Sequence, residues 1–253
     1  MRTHDEYPRR RVRFCAVSTR LVLVERNGAL ARVVLNRPDR RNALDDALID
    51  ALDYALRQVA AASWCRAVLV TGAGIAFCAG GDIAADSGAD VPGAIVRQRR
   101  FLQVAARLHE MPKPTVAAVN GAAVGAGFSL ALLCDEVILL GSAKLGMGFL
   151  TIGLPPDLLA TLTVQRRAGW TVATDLFHSG RMVPADEAVR LHLAHEVVED
   201  DVVGAATRRA EVLAAFPPFA FAATKSLLRQ SFPATATIAE LEALAVGVAG
   251  RDP

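Results

Sequence analysis

A parallel α/β fold that continues into a helical C-terminal region is the class this sequence predicts, and three observations carry it. Apolar runs of strand length at 67–71, 115–119 and 136–140 are nearly continuous, as in strands buried on both faces. Segments with helical periodicity separate them, the alternation that lays helices over a mostly parallel sheet. Beyond residue 153 strand-like runs give way to helical patterns.

The chain opens on a basic arm, 1–19, that carries Arg9, Arg10, Arg11 and Arg13. It reads as a flexible tail, because Asp5 and Glu6 are wrong for a transit peptide and no apolar segment follows. The core is expected over 20–200. Runs at 21–25 and 31–35 flank Asn27-Gly28, a pair favoured in type I′ turns, and predict an opening hairpin. Leu44, Leu48, Leu52, Leu56 and Val59 then recur at helical spacing over 45–61, with Asp45 placed to cap. A strand at 67–71 leads into a Gly-rich turn, 72–81, and a small-residue stretch, 86–93, that reads as a mobile surface loop. The helix over 95–109 is halted by Met111-Pro112-Lys113-Pro114, since the residue before a proline is pushed out of the helical region. Strand 115–119, a small-residue turn at 120–127, helix 128–133 and strand 136–140 follow. Helices are expected at 158–168, 172–178, 185–191, 202–216, 219–231 and 238–247, with one short strand near 195–198. Residues 201–253 form the C-terminal helical region.

Composition narrows the function. A net charge of +2 argues against nucleic acid as a partner. No run reaches the ~18 consecutive apolar residues that a membrane helix needs, so no membrane association is expected. The 53% hydrophobic content exceeds what one core absorbs and points to subunit contacts, hence a homo-oligomer. Cys15, Cys65, Cys78 and Cys134 show neither CxxC nor disulfide-like spacing, which suits a reducing cytoplasm. His192 and His195 form an HxxH without a third ligand at metal-site spacing, so no metal is expected and the pair reads as a solvated loop.

Two turns stand out chemically: Phe77-Cys78-Ala79-Gly80-Gly81-Asp82 and Gly121 through Gly127. Each follows a buried strand and is built from residues small enough for a ligand to touch backbone. The second enters a helix, where N–H groups without helical partners converge with the positive end of the dipole. Such N–H groups suit an oxyanion hole; tight helix-on-sheet contact explains the same small residues. Gly121–Gly127 is neither GxGxxG nor a Walker loop, and Ser129 sits on no GxSxG elbow.

Leu35-Asn36-Arg37-Pro38, Arg41-Asn42-Ala43-Leu44, Ala76 through Asp82, and Lys113-Pro114 through Asn120-Gly121 together resemble the enoyl-CoA hydratase/isomerase (crotonase) family. Cys134-Asp135, Gly153-Leu154-Pro155-Pro156-Asp157, Ser179-Gly180-Arg181 and Ala223-Thr224-Lys225 continue the resemblance in family order. It implies a crotonase-like spiral of ββα units, a C-terminal helical region that trimerises, often as a dimer of trimers, and an acyl-CoA thioester substrate with no separate cofactor. Gly81 matches the first oxyanion donor and Ala126 the second. Backbone near Arg40, Arg41 and Ala43, together with Ala79, matches the adenine and pantetheine contacts. Asp82 and Asp135 read as turn and capping residues. Lys225 matches a position on a C-terminal helix, where either a phosphate contact or a solvated face fits.

The two glutamates of family hydratases fall on Ser129 and Phe149, which argues against two-carboxylate water addition. Asp157 matches the acid of many family isomerases, a single carboxylate that moves a proton between two carbons. Apolar surroundings from Phe149 and Leu150 would raise its pKa toward a useful value. Asp157 equally suits capping a helix at Leu158. The Gly-rich stretch usual after this acid is replaced by Leu158-Leu159-Ala160, and the chain stops at Pro253 without the family's last helix, which alters the expected CoA contacts. Double-bond isomerisation through Asp157 is the leading expectation. Hydration with Ser129 positioning water, and non-catalytic acyl-CoA binding, are the alternatives.

Overall fold

The strand-like runs resolve into two sheets, not one. The computed structural model describes residues 13–14, 19–83 and 91–230; most of the N-terminal arm, residues 86–90 of the expected loop and the helix expected over 238–247 lie outside them. The larger sheet contains β1 (Arg13–Phe14), β2 (Val22–Asn27), β3 (Leu30–Leu35), β4 (Ala67–Gly72), β6 (Thr115–Val119), β8 (Glu136–Leu140) and β11 (Glu196–Val198), in order β1-β2-β3-β4-β6-β8-β11. From β3 onward every neighbouring pair is parallel. The smaller sheet contains β5 (Ala76–Cys78), β7 (Ala122–Val124), β9 (Lys144–Gly146) and β10 (Met182–Pro184), in order β10-β9-β7-β5. Its strands have three residues each, too short for any period-2 pattern to show in the sequence.

The helices are α1 (Asp46–Ala61), α2 (Val91–His109), α3 (Ala126–Leu132), α4 (Ala160–Ser179), α5 (Ala185–Arg190), α6 (Val202–Ala214) and α7 (Pro218–Gln230). Chain order then reads as a spiral: β4-β5-α2, β6-β7-α3 and β8-β9-α4 each give one strand to the large sheet, one to the small sheet and a helix.

Alternation along β4 explains its unbroken apolar run. Val68 and Val70 join the main core with α1 and α2, whereas Ala67 and Leu69 face Ala206, Ala210 and Leu213 of α6. That helix, counted in the sequence with the C-terminal region, therefore covers the outer face of the large sheet. Asp45 caps α1 as expected, accepting from Leu48 N–H at 2.8 Å.

Two local expectations change and a third holds. Asn27 pairs with Leu30, so the hairpin turn is Gly28-Ala29, with positive φ at Gly28 alone, the pattern of a type II′ turn. Residues 91–93 belong to α2, because Pro92 is tolerated in a first turn, where its missing N–H has no helical partner to lose. The two helices expected either side of Gly169 are present as the two halves of α4, which break at Gly169, whose φ 81°, ψ 171° is not helical.

At the end of α2, His109 is buried against cationic residues of α4 and α7. Burial, then Arg229, Arg166, Lys225 and Arg167, hold its pKa down at about 3 from an ordinary 6.5. The unfolded chain therefore binds a proton that the folded chain refuses, and stability is lost as pH falls from 6.5 toward 3. Lowering the pH from 7.5 to 5 is expected to remove about 2 kcal/mol through this group. Urea unfolding of His109→Leu at both values checks it, since the variant should lose that much less than the wild type.

Candidate active site

Asn42 organises the first turn. It takes a left-handed φ of 57°, which asparagine tolerates, and its Nδ2 donates to the carbonyls of Ala73 (2.9 Å), Ala76 (2.9 Å) and Phe77 (3.2 Å) while Oδ1 accepts from Arg37 N–H. The loop so fixed meets the end of β5. Ala79 N–H donates to Arg41 O at 3.0 Å, Leu44 N–H to Gly80 O at 2.7 Å, and Asp82 N–H to Leu44 O at 2.9 Å. In this parallel bridge the groups flanking Gly81 are used, so Gly81's own N–H points to the opposite side, away from Leu44. Asn42→Ala is expected to cost about 3 kcal/mol, from buried carbonyls left unpaired and a left-handed alanine, readable as a lower urea midpoint at unchanged slope.

The second turn lies against the first. Gly80 has φ +101°, and a Cβ there would sit 2.8 Å from Val124 O and 3.8 Å from Ala126 N. Gly125, at φ 51°, ψ −124°, donates its N–H to Gly146 O at 2.8 Å and turns the chain into α3. Ala126 is the first residue of α3, so its N–H belongs to the group a helix leaves unsatisfied.

Both turns open on one cavity of about 370 Å³ whose lining includes Ala79, Gly80, Gly81, Gly125, Ala126, Phe149 and Asp157. Ile83, Phe101, Val124, Ile152, Leu154 and Pro155 make most of the remaining wall apolar. Asp157 is partly buried with Oδ1 inaccessible to solvent. Its charge reaches Cys78, whose thiol is pushed up to about 12, chiefly by burial. That thiol stays protonated and is no nucleophile at neutral pH.

Several expectations are settled by position. Helix α4 begins at Ala160 with Leu159 at its N-cap, so Asp157 does not occupy the capping position. Leu158 and Leu159 instead adopt left-handed φ values of 49° and 58°, strained for branched residues. Leu150 is 48% exposed and off the cavity, so the apolar wall near Asp157 comes from Phe149 and its neighbours, not from Leu150.

Ser129 is fully buried behind the turn, off the cavity lining, with Oγ donating to Gly125 O at 3.1 Å. Lys225 is not on a solvated face: it is buried, donates to Asp135 Oδ2 at 2.6 Å and to Lys113 O at 3.1 Å, and lines a separate cavity. Burial above all lowers its pKa to about 8. Asp135 also accepts from Thr115 N–H and Arg229, and Asp82 pairs with Arg37 at 2.7 Å, as structural roles require. Arg40 ends the 3-10 turn Pro38–Arg40; Ala43 N–H bonds back to Arg40 O. Arg40, Arg41 and Ala43 thus share the loop that touches Ala79. His195 Nδ1 accepts Val137 N–H at 3.1 Å, so that ring fastens β8.

Sequence reading missed the α2 wall of the cavity, Ala94, Arg97, Gln98 and Phe101. A signal was present: Gln98 is polar in phase with Phe101, Ala105 and Leu108 on the helix's apolar face.

A spiral of ββα turns whose glycine-rich strand ends open on a shared cavity is the crotonase fold. Residues 25–245 match the enoyl-CoA hydratase/isomerase family, and the chain belongs to it. Among curated relatives, 2,3-dehydroadipyl-CoA hydratase of Escherichia coli K12 is 34% identical over 211 residues, 83% of this chain and 82% of that one. The 1,2-epoxyphenylacetyl-CoA isomerase of the same organism is 36% identical over 205 residues, 79% and 78% of the two chains. A solved enoyl-CoA hydratase from Mycobacterium avium subsp. paratuberculosis aligns with a TM-score of 0.85 at 26% identity, covering 93% of this chain and 96% of that chain.

Proposed function

We propose that this acyl-CoA enzyme shifts a carbon–carbon double bond, with Asp157 carrying the proton. The observation that supports this reading is that Asp157, Gly81 and Ala126 line the same cavity. In the proposed step the Asp157 carboxylate removes a proton from the carbon next to the thioester or from the far end of the allylic system. The electron pair passes to the thioester oxygen, where the N–H groups of Gly81 and Ala126 hold the negative charge. Asp157 returns the proton at the other carbon, re-forming the carbonyl. Two preorganised donors aid this step because their bonds strengthen as the charge develops. A proton shuttle of this kind uses no resident cofactor. The CoA portion is assigned to the loop of Arg40, Arg41 and Ala43 with Ala79, while Lys225, engaged by Asp135, is the weaker assignment.

The hydratase relative favours a second reading, water addition in the same cavity. Incubation with 3-enoyl-CoA and 2-enoyl-CoA thioesters in deuterated water separates the two. Migration with deuterium uptake supports the first; a 3-hydroxyacyl product supports the second. Tight binding without exchange or turnover would leave a binding protein. We assign the enzyme to the cytoplasm as a homotrimer or dimer of trimers. Exposed Phe219, Leu227 and Leu228 on α7 support the subunit contacts, and light scattering should return a mass in multiples of three chains.

A further inference from the structure

Helix α2 buries Gln98 where its period calls for an apolar side chain. The residue is 7% exposed and lines the site cavity beside Phe101. Among the described residues its side-chain amide makes no hydrogen bond. Its amide atoms are not sealed from solvent but open on the cavity, so they are left unpaired only when a bound chain displaces that solvent without offering a hydrogen bond. The nearest charged neighbour in sequence, Arg97, also lines the cavity but is held by Asp46 at 2.9 Å. Phe101, Val124, Phe149 and Leu154 give the cavity wall no side-chain hydrogen-bonding group of their own. A pocket meant only for a hydrocarbon chain has no use for an amide there.

We propose that Gln98 is a specificity-determining residue that hydrogen-bonds an oxygen substituent on the acyl group. The preferred substrates are therefore acyl-CoA thioesters bearing a hydroxyl or keto oxygen along the chain, in place of plain hydrocarbon acyl groups. An amide both donates and accepts, so it serves either oxygen, while a chain lacking oxygen leaves it buried and unpaired. This inference rests on the acyl-CoA reading above but not on the direction of the chemistry.

Calorimetric binding tests it without turnover. Butanoyl-, hexanoyl- and octanoyl-CoA are each compared with analogues of equal length carrying a hydroxyl or keto group at successive carbons. At least one oxygenated analogue should bind the wild type roughly 10- to 100-fold more tightly than its plain counterpart. Gln98→Leu and Gln98→Met should reduce that ratio to about threefold or less and, without ligand, melt at or above the wild-type temperature. Equal binding of plain and oxygenated esters by the wild type, or a preference that survives in both variants, overturns the proposal alone. A melting temperature lowered in both variants overturns it too, by making the amide structural. No binding of any ester overturns it together with the acyl-CoA reading.

Discussion

Asp157→Asn is expected to slow double-bond migration by ~10²–10⁴-fold, the usual contribution of a positioned general base, while acyl-CoA affinity changes less than about threefold. The two side chains are nearly equal in size, so the cavity keeps its shape. What asparagine lacks is a site that accepts a proton and gives it back. The N–H groups of Gly81 and Ala126 remain, and a bound thioester should still be polarised. Single-turnover assays in deuterated water read the loss as vanished isotope exchange at the allylic carbons. Full exchange in the variant would assign the proton transfer elsewhere, and hydration persisting at wild-type rate would favour the water-adding reading. The strained Leu158 and Leu159 bear on the same point. Left-handed backbone at two consecutive branched residues is tolerated only where the surroundings over-determine it, and both leucines are buried. Their burial fixes the chain immediately after the carboxylate, so the backbone at Asp157 is held by core side chains.

Much of this site is readable from the sequence, and the reason is local. Gly80 is small because the two turns touch there, and Gly125 because its positive φ turns the chain into α3, and each requirement leaves a mark in the sequence. Strands β4, β6 and β8 are readable because both faces are covered, which makes them apolar apart from Thr71, Thr115 and Glu136 near their ends. The smaller sheet is not, since three-residue strands are specified by their partners and not by their own composition. The surroundings of Ser129 and Lys225 were not legible for a related reason: resemblance to a motif gives a position in the chain but not the direction of a side chain. Ser129 turns back to Gly125 O and Lys225 turns inward to Asp135. Gln98 was legible only as a break in a helical pattern, and its significance depends on the cavity that five separate segments enclose.

Gly127→Ala is expected to cost more than about 4 kcal/mol, an exceptional loss for one methyl group, and to leave little soluble protein. A Cβ at this position would lie 2.2 Å from Cys78 O and 2.8 Å from Cys78 Cβ. Neither side can yield. Gly127 sits inside α3, where moving one residue moves the helix, and Cys78 ends β5, whose preceding carbonyls at Ala76 and Phe77 are tied to the Asn42 amide. Relief would come from α3 lifting off β5, which carries Ala126 N–H away from Gly81. Any folded fraction should therefore lose ~10²–10³ in rate, the cost of one oxyanion donor. Gly81→Ala is the informative contrast. Its added Cβ meets nothing within 4 Å, its φ is not left-handed, and alanine keeps the N–H, so stability should stay within about 1 kcal/mol. Chemical unfolding and kcat of both variants compare the two glycines directly. If Gly127→Ala folds and turns over like the wild type, the contact between the turns does not position Ala126; if Gly81→Ala alone is inactive, the first turn needs the open space itself, not only its N–H, to admit the thioester.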